Sequence, residues 1–103
     1  MDETTQKVVN FVTLLANELI HPRKIILFGS RARGDARQTS DVDIAFDFDP
    51  DQYQQHWSRF CLNIEENAPT LLSIDLINMN EISSAFSEKI RAEGIVVYTR
   101  ALS

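Results

Sequence analysis

An alternation of apolar and acidic residues between positions 41 and 48 constrains the fold of this chain more than any other feature. One set of alternate positions is fully apolar, and the other set is mostly acidic: Val42, Ile44, Phe46 and Phe48 against Asp41, Asp43, Ala45 and Asp47. Successive side chains of a β-strand point to opposite faces, so the pattern predicts a strand with one buried face. Asp41 and Asp43 would then share a face, about 7 Å apart along the backbone.

Three further strands and the turns between them are predicted from short apolar runs. Strands are expected near 24–28, 73–79 and 95–98, and Gly29 and Gly34 bracket room for one helical turn. Together with the strand near 41–48, they predict a small α/β fold, whose sheet is mixed and has about four strands flanked by helices.

Helical spacing of apolar residues predicts the helices that cover this sheet. The first is expected near 4–20 and the second near 50–66, begun by Asp49 as N-cap and Pro50 at the first helical position. A last helix is expected to start at Asn80 and end at Gly94. The middle and last helices have these buried stripes: Tyr53, Trp57, Phe60, Cys61 and Ile64, then Ile82, Phe86 and Ile90.

Size and charge narrow the classes of function. A chain of 103 residues predicts a single domain over 1–103, and the absence of a long apolar run predicts no association with a membrane. A single cysteine and an N-terminus unlike a signal peptide predict a cytoplasmic protein. The net charge of −5 leaves no basic face for a duplex, so no direct binding of nucleic acid is expected.

The residues after the first predicted strand are suited to holding phosphate. Gly29 allows the backbone to approach a phosphate closely, and the Ser30 hydroxyl and neighbouring N–H groups donate hydrogen bonds to it. Arg31 and Arg33 add charge-assisted contacts to phosphate in this interpretation. Each arginine is predicted equally well as a solvated loop charge or as a contact to a partner protein.

A third aspartate, Asp75, lies in the apolar strand near 73–79. An Asp-x-Asp pair alone more often marks a solvated sheet face, but the Gly-Ser turn and Asp75 together favour a site. Asp41 and Asp43 would hold Mg²⁺ on the phosphates of a nucleoside triphosphate, and Asp75 would bind a second ion or act as general base. The alternative for Asp75 is a strand that faces water on that side.

These residues resemble a known signature. Gly29-Ser30, ten further residues, Asp41-Val42-Asp43 and a later Asp75 resemble the polymerase-β-like nucleotidyltransferase superfamily, and the run from Gly29 to Gly34 resembles its minimal nucleotidyltransferases, or MNT proteins. The resemblance implies that Asp41, Asp43 and Asp75 form the catalytic, metal-binding triad. It also implies that Gly29 and Ser30 bind the triphosphate.

The resemblance further implies an antitoxin of the HEPN/MNT type. Such a protein uses ATP and Mg²⁺ to transfer AMP to a hydroxyl group, expected to be a tyrosine, of a HEPN-domain RNase toxin. The short chain agrees, because larger relatives carry an additional domain that shapes the acceptor site. Two alternatives stay open: a non-catalytic antitoxin that acts by binding, and a nucleotidyltransferase for small molecules such as aminoglycosides.

Overall fold

A computed structural model describes residues 1–52 and 54–101 and contains one mixed sheet with helices on both faces. Its elements, in chain order, are α1 (Glu3–Leu19), β1 (Lys24–Phe28), α2 (Ser30–Arg33), β2 (Val42–Asp47), α3 (Trp57–Asn67), β3 (Ile74–Asn78), a 3₁₀ turn (Met79–Glu81), α4 (Ser84–Glu93) and β4 (Ile95–Thr99). The predicted fold class, a small α/β domain with a four-stranded mixed sheet, is confirmed. None of the described helices has the length and apolar composition that crossing a bilayer requires.

The sheet has the strand order β3-β2-β1-β4. β1 pairs antiparallel with both β2 and β4, whereas β2 and β3 are parallel. A parallel pair needs a crossover connection, and α3 lies within the crossover from β2 to β3. β2 is therefore an inner strand, and β3 is an edge strand whose outer side pairs with no other strand in the described part of the chain.

Both faces of the sheet are covered, although unequally. The larger core lies between the sheet and the pair α1 and α3, and its fully buried members include Val8, Val12, Ile25, Leu27, Val42, Ile44, Phe46, Phe60 and Ile64. A smaller cluster joins the opposite face to α4 through Ile26, Ala45, Met79 and Ile90. Burial on both faces explains why β1 is apolar from Ile25 to Phe28, and the apolar face predicted for β2 is confirmed.

The middle helix begins later than predicted. α3 starts at Trp57, and the chain from Asp49 makes a turn in which the Gln52 N–H donates to the Asp49 carbonyl at 3.0 Å. The Asp49 carboxylate caps no helix, because it accepts a 2.6 Å hydrogen bond from the Arg100 guanidinium. Tyr53, predicted in the buried stripe, lies outside the described residues, whereas the rest of that stripe packs against the larger core: Trp57, Phe60, Cys61 and Ile64.

The last helix also differs in its details. Ser83 is its N-cap and accepts a hydrogen bond from the Phe86 N–H at 3.2 Å, while Asn80 belongs to the preceding 3₁₀ turn. Phe86, predicted to be buried, is 39% exposed. Gly94 ends the helix as predicted, although its φ of −82° is not left-handed. Glycine is needed there for space, because a Cβ atom would overlap the Ile26 side chain.

Candidate active site

A strand–turn–helix connection places Gly29 beside the central aspartate. Gly29 follows β1 directly, is the N-cap of α2 and has a φ of +73°, which glycine adopts at little cost. A Cβ atom at this position would overlap Oδ2 of Asp43. The backbone of Gly29 therefore lies directly against the Asp43 carboxylate, and Ser30 opens α2 beside it.

The sheet register brings Asp43 and Asp75 together. Asp43 is the Cα partner of Asp75 across the parallel pair β2–β3, and of Phe28 across the antiparallel pair β1–β2. Neighbouring strands lie about 4.8 Å apart, so Asp43 stands between the turn after β1 and the carboxylate on β3. Asp43 is half-buried, while Asp41, directly before β2, and Asp75, on the edge strand, are exposed.

The electrostatics show that the three carboxylates act on one another. Partial burial, a hydrogen bond with Asp75 and the negative charges of Asp75 and Asp41 together raise the pKa of Asp43 to about 6. The positive charge of Arg33 opposes this rise. Asp75 is exposed to water, as the alternative interpretation of this residue predicts. It is also the immediate neighbour of Asp43 across the pair β2–β3. An added cation would relieve the repulsion at this point.

The donor set fits a magnesium ion that takes part of its coordination from a substrate. Within residues 1–52 and 54–101, no three His, Cys, Asp or Glu side chains are gathered closely enough to form a metal cage. Mg²⁺ is usually bound by one or two carboxylates, several waters and substrate phosphates rather than by such a cage. Asp43, with Asp75 or Asp41, supplies ligands of that kind.

Arg31 is buried inside the protein, whereas the predicted contact with phosphate requires an accessible guanidinium. Its side chain is 2% exposed, and its Nε and Nη2 both donate to the Ser40 carbonyl, at 3.0 and 2.9 Å. Nη1 donates to the Thr5 hydroxyl at 2.9 Å and lies 3.5 Å from a carboxylate oxygen of Asp2. The guanidinium thus ties the loop before β2 to the start of α1.

Arg33, by contrast, remains available at the site. Its side chain is 49% exposed and lies 3.4 Å from Asp35, a contact between two exposed groups that holds it weakly. Its charge acts on Asp43, which places the guanidinium within electrostatic reach of the carboxylates. Of the two predicted arginines, only Arg33 is positioned to meet a phosphate.

Two phenylalanines that are not among the site residues predicted from the sequence form an apolar wall. Phe28, the cross-strand partner of Asp43, packs edge-to-face on Phe86 of α4, with ring centroids 6.1 Å apart. The wall lies on the α4 side of the sheet, beside Asp43. The sequence feature that could have indicated this wall is Phe28, a large apolar residue at the end of β1 directly before Gly29.

Asp47 lies outside the site. It is 5% exposed and forms a 2.9 Å ion pair with Arg23, at the opposite end of β2 from Asp43. A second guanidinium, that of Arg91, lies 3.8 Å away. This buried carboxylate is therefore neutralised by its own chain.

Two comparisons of the sequence with known proteins give a match. The family model described as Polymerase beta, Nucleotidyltransferase matches residues 10–102. A proposed protein adenylyltransferase of Methanocaldococcus jannaschii is 35% identical over 75 residues, which cover 72% of this chain and 74% of that protein.

Two solved structures share the fold. A proposed minimal nucleotidyltransferase has a TM-score of 0.64 at 22% identity, over 92% of this chain and 95% of the other. A chain from a toxin–antitoxin structure with AMP-PNP has a TM-score of 0.62 at 21% identity, over 88% of this chain and 73% of the other. At these identities the likeness establishes a common fold.

Proposed function

The chain belongs to the Polymerase beta, Nucleotidyltransferase family, and from that premise we propose that it is an ATP- and Mg²⁺-dependent protein adenylyltransferase. Residues 1–103 serve as a single catalytic domain in this proposal. Its acceptor is a hydroxyl group, most simply a tyrosine, of a HEPN-domain RNase toxin, and the transfer of AMP neutralises that toxin. The chain thereby acts as an antitoxin.

One observation carries the proposal: the Asp43 carboxylate touches the Gly29 backbone on one side and faces Asp75 on the other. Phosphoryl transfer depends on positioning and on offsetting negative charge, because the chain forms no covalent intermediate with the phosphate. Gly29 and Ser30 would bind the β- and γ-phosphates. These phosphates would then lie beside the Asp43 carboxylate, which is already repelled by the negative charges of Asp75 and Asp41.

The chain's own residues divide the remaining work. Asp41 and Asp43 would hold Mg²⁺, with Asp75 as a further ligand, and the bound ion would offset the charge that develops on the leaving pyrophosphate. Arg33 would add a charge-assisted hydrogen bond to a phosphate oxygen. Arg31 keeps the loop before β2 in place, and so orients Asp41, from within the protein.

Asp75 is positioned to accept a proton. It is exposed on the edge strand, where an incoming hydroxyl group can reach it, and it neighbours Asp43. The acceptor oxygen bonds to the α-phosphorus of ATP while the bond from that phosphorus to the pyrophosphate oxygen breaks. The hydroxyl proton passes to the Asp75 carboxylate, and pyrophosphate leaves from the Gly29–Ser30 side.

The choice of a protein acceptor has separate support. The relative in Methanocaldococcus jannaschii is a proposed protein adenylyltransferase, and one structure that shares the fold belongs to a toxin–antitoxin complex with AMP-PNP. The HEPN partner itself follows from the resemblance to MNT proteins.

The test is AMP transfer with purified components. Wild-type protein, ATP, Mg²⁺ and the HEPN-domain protein that the proposal expects to be encoded beside this chain are mixed, and intact-mass spectrometry measures AMP on the partner. Asp41→Ala combined with Asp43→Ala should abolish the transfer. Asp51→Ala, which removes an exposed carboxylate from a turn away from the site, should leave it unchanged.

Each alternative predicts a different result in the same assay. If the double variant still neutralises the toxin at equal abundance, binding alone is sufficient and catalysis is not the mechanism. If the HEPN protein stays unmodified while labelled AMP appears on an aminoglycoside or another small hydroxyl compound, the chain is a small-molecule nucleotidyltransferase.

A further inference from the structure

A groove lies next to the candidate site and does not include the Gly29–Ser30 turn among its lining residues. It lies between α3 and the edge strand β3 and has a volume of about 500 Å³, within the range of about 300–1,000 Å³ common for ligand sites. Cys61 and Glu65 line it from α3, and Leu72, Ile74 and Asp75 line it from the other side. Asp75 lies at the border of the groove: it alternates with Ile74 and Leu76 along β3, so its carboxylate lies on the face of the sheet that carries Asp43.

The groove runs along an edge strand with unused hydrogen-bonding groups. The Val42 N–H donates to the Ser73 carbonyl at 3.0 Å, and the register pairs Val42 with Ile74. In a parallel ladder with this register, Ser73 and Asp75 direct their backbone groups toward β2, so Ile74 and Leu76 present theirs outward. The outward N–H and C=O groups can pair with an added extended segment.

The side from which the acceptor hydroxyl group must attack also indicates this groove. In phosphoryl transfer the attacking and leaving oxygens lie roughly in line on opposite sides of the phosphorus. The phosphate turn, Gly29–Ser30, directly follows β1, Asp43 lies on β2 and Asp75 lies on β3, and these three strands are neighbours in the sheet. If pyrophosphate leaves on the β1 side, the attacking hydroxyl group must approach from the β3 side, where the groove lies.

We infer that this groove holds the acceptor segment of the partner protein, extended along the free edge of β3, so that its hydroxyl group meets Asp75. The inference rests on the proposed function and adds the surface on which the protein acceptor is recognised. The segment places apolar side chains on Cys61, Leu72 and Ile74, which make much of the groove wall apolar. It also carries a basic residue that faces Glu65.

The charge of the groove supports a segment of that chemistry. Glu65 is exposed on the groove wall, and the only other charged residue among the described ones that line it is Asp75. The Glu65 carboxylate on the wall, with Asp75 at its border and no cation among these lining residues, attracts a basic segment and repels an acidic one. The net charge of −5 on the whole chain acts in the same direction.

A matched pair of charge reversals tests the groove. Glu65 and Glu66 are adjacent, exposed and on the same helix, but only Glu65 lines the groove. With the HEPN-domain protein as acceptor, Glu65→Lys should lower kcat/KM for AMP transfer about fivefold to tenfold, and Glu66→Lys should not. AMP-PNP affinity should stay at the wild-type value in both variants, and circular dichroism confirms that both fold. Equal transfer by the two variants would overturn the inference.

The one cysteine of the chain supplies a second readout that does not depend on catalysis. Cys61 lies in the groove and is half-buried, and this burial raises the pKa of its thiol, so alkylation by N-ethylmaleimide is measured at alkaline pH. The HEPN-domain protein should slow alkylation of Cys61 at least about fivefold. Unchanged alkylation would overturn the inference.

The same experiment separates the two proposals. If AMP-PNP and Mg²⁺ without the partner protect Cys61 fully, the groove holds nucleotide and the inference is wrong. If the HEPN-domain protein protects Cys61 but receives no AMP, the groove is a docking surface and the proposed transfer reaction fails.

Discussion

The carboxylate of Asp43 lies so close to the backbone of Gly29 that a single added Cβ atom would overlap its Oδ2. This contact joins two parts of the candidate site that are separate in the sequence, the Gly29–Ser30 turn and Asp43. It also limits position 29 to glycine for two reasons, the positive φ and the lack of space.

Replacement of Gly29 should therefore damage both stability and activity. We expect Gly29→Ala to lower the free energy of unfolding by about 2–4 kcal/mol and AMP transfer at least about tenfold. Gly34→Ala is the matched control, because Gly34 also has a positive φ, +88°, but open space around its Cα. That variant should cost about 1 kcal/mol and keep its activity, as measured by urea unfolding and the transfer assay. Equal losses in the two variants would show that the contact with Asp43 is unimportant.

The raised pKa of Asp43 predicts a dependence of stability on pH in the metal-free protein. A folded-state pKa of about 6 lies above the ordinary value, so the folded protein holds this proton more tightly than the unfolded chain does. The resulting stabilisation is complete below about pH 4 and is lost as the pH rises through about 6. Because the side chain is partly exposed, the effect should be about 1 kcal/mol.

Asp43→Asn should remove this dependence and stabilise the protein at pH 7 while abolishing transfer. Denaturant unfolding at several pH values, in the presence of a chelator, measures the change. Asp51→Asn, at an exposed turn position, should follow the wild-type profile. If the profile of Asp43→Asn also parallels that of the wild type, protonation of Asp43 is not the cause of the pH dependence.

Binding of Mg²⁺ with AMP-PNP should raise the melting temperature. At a ligand concentration of 100 times Kd, the stabilisation is about 2.7 kcal/mol, and a chelator should reverse it. The variant with Asp41→Ala and Asp43→Ala should show little of this shift. Should the double variant be stabilised as strongly as the wild type, the aspartates would not hold the ion.

Substitutions of Arg31 and Arg33 should affect different properties: stability for Arg31 and nucleotide affinity for Arg33. Arg31→Ala removes a buried guanidinium bonded to Ser40 and Thr5, so unfolding should become easier by about 3–5 kcal/mol. Arg33→Ala removes an exposed side chain and should change stability by less than about 0.5 kcal/mol while weakening the affinity for AMP-PNP. Isothermal titration and urea unfolding distinguish the two. A stable Arg31→Ala variant with weakened nucleotide binding would restore the phosphate contact predicted from the sequence.

The strands were predictable because their signal is local, and the misplaced details depend on distant partners. Alternation placed β2 within one residue of its observed bounds at each end; Asp43 lies on the sheet, and Asp41 directly precedes β2. The helix start predicted at Asp49 failed because Arg100, far along the chain, takes its carboxylate. No local pattern shows that Arg31 is buried, since its partners lie on α1 and in the loop before β2. The adjacency of Asp43 and Asp75 required the strand order, which spacing alone does not supply.

The parallel pairing of β2 with β3 has a consequence for the newly made chain. Residues of the turn after β1 and of β2 leave the ribosome well before Asp75, and β3 can join the sheet only after the crossover through α3 has formed. A partly folded chain would hold the phosphate turn but not the neighbour that completes the carboxylate pair. We therefore expect nucleotide affinity to appear together with the last cooperative folding step, so that a damaged or incomplete copy does not consume ATP.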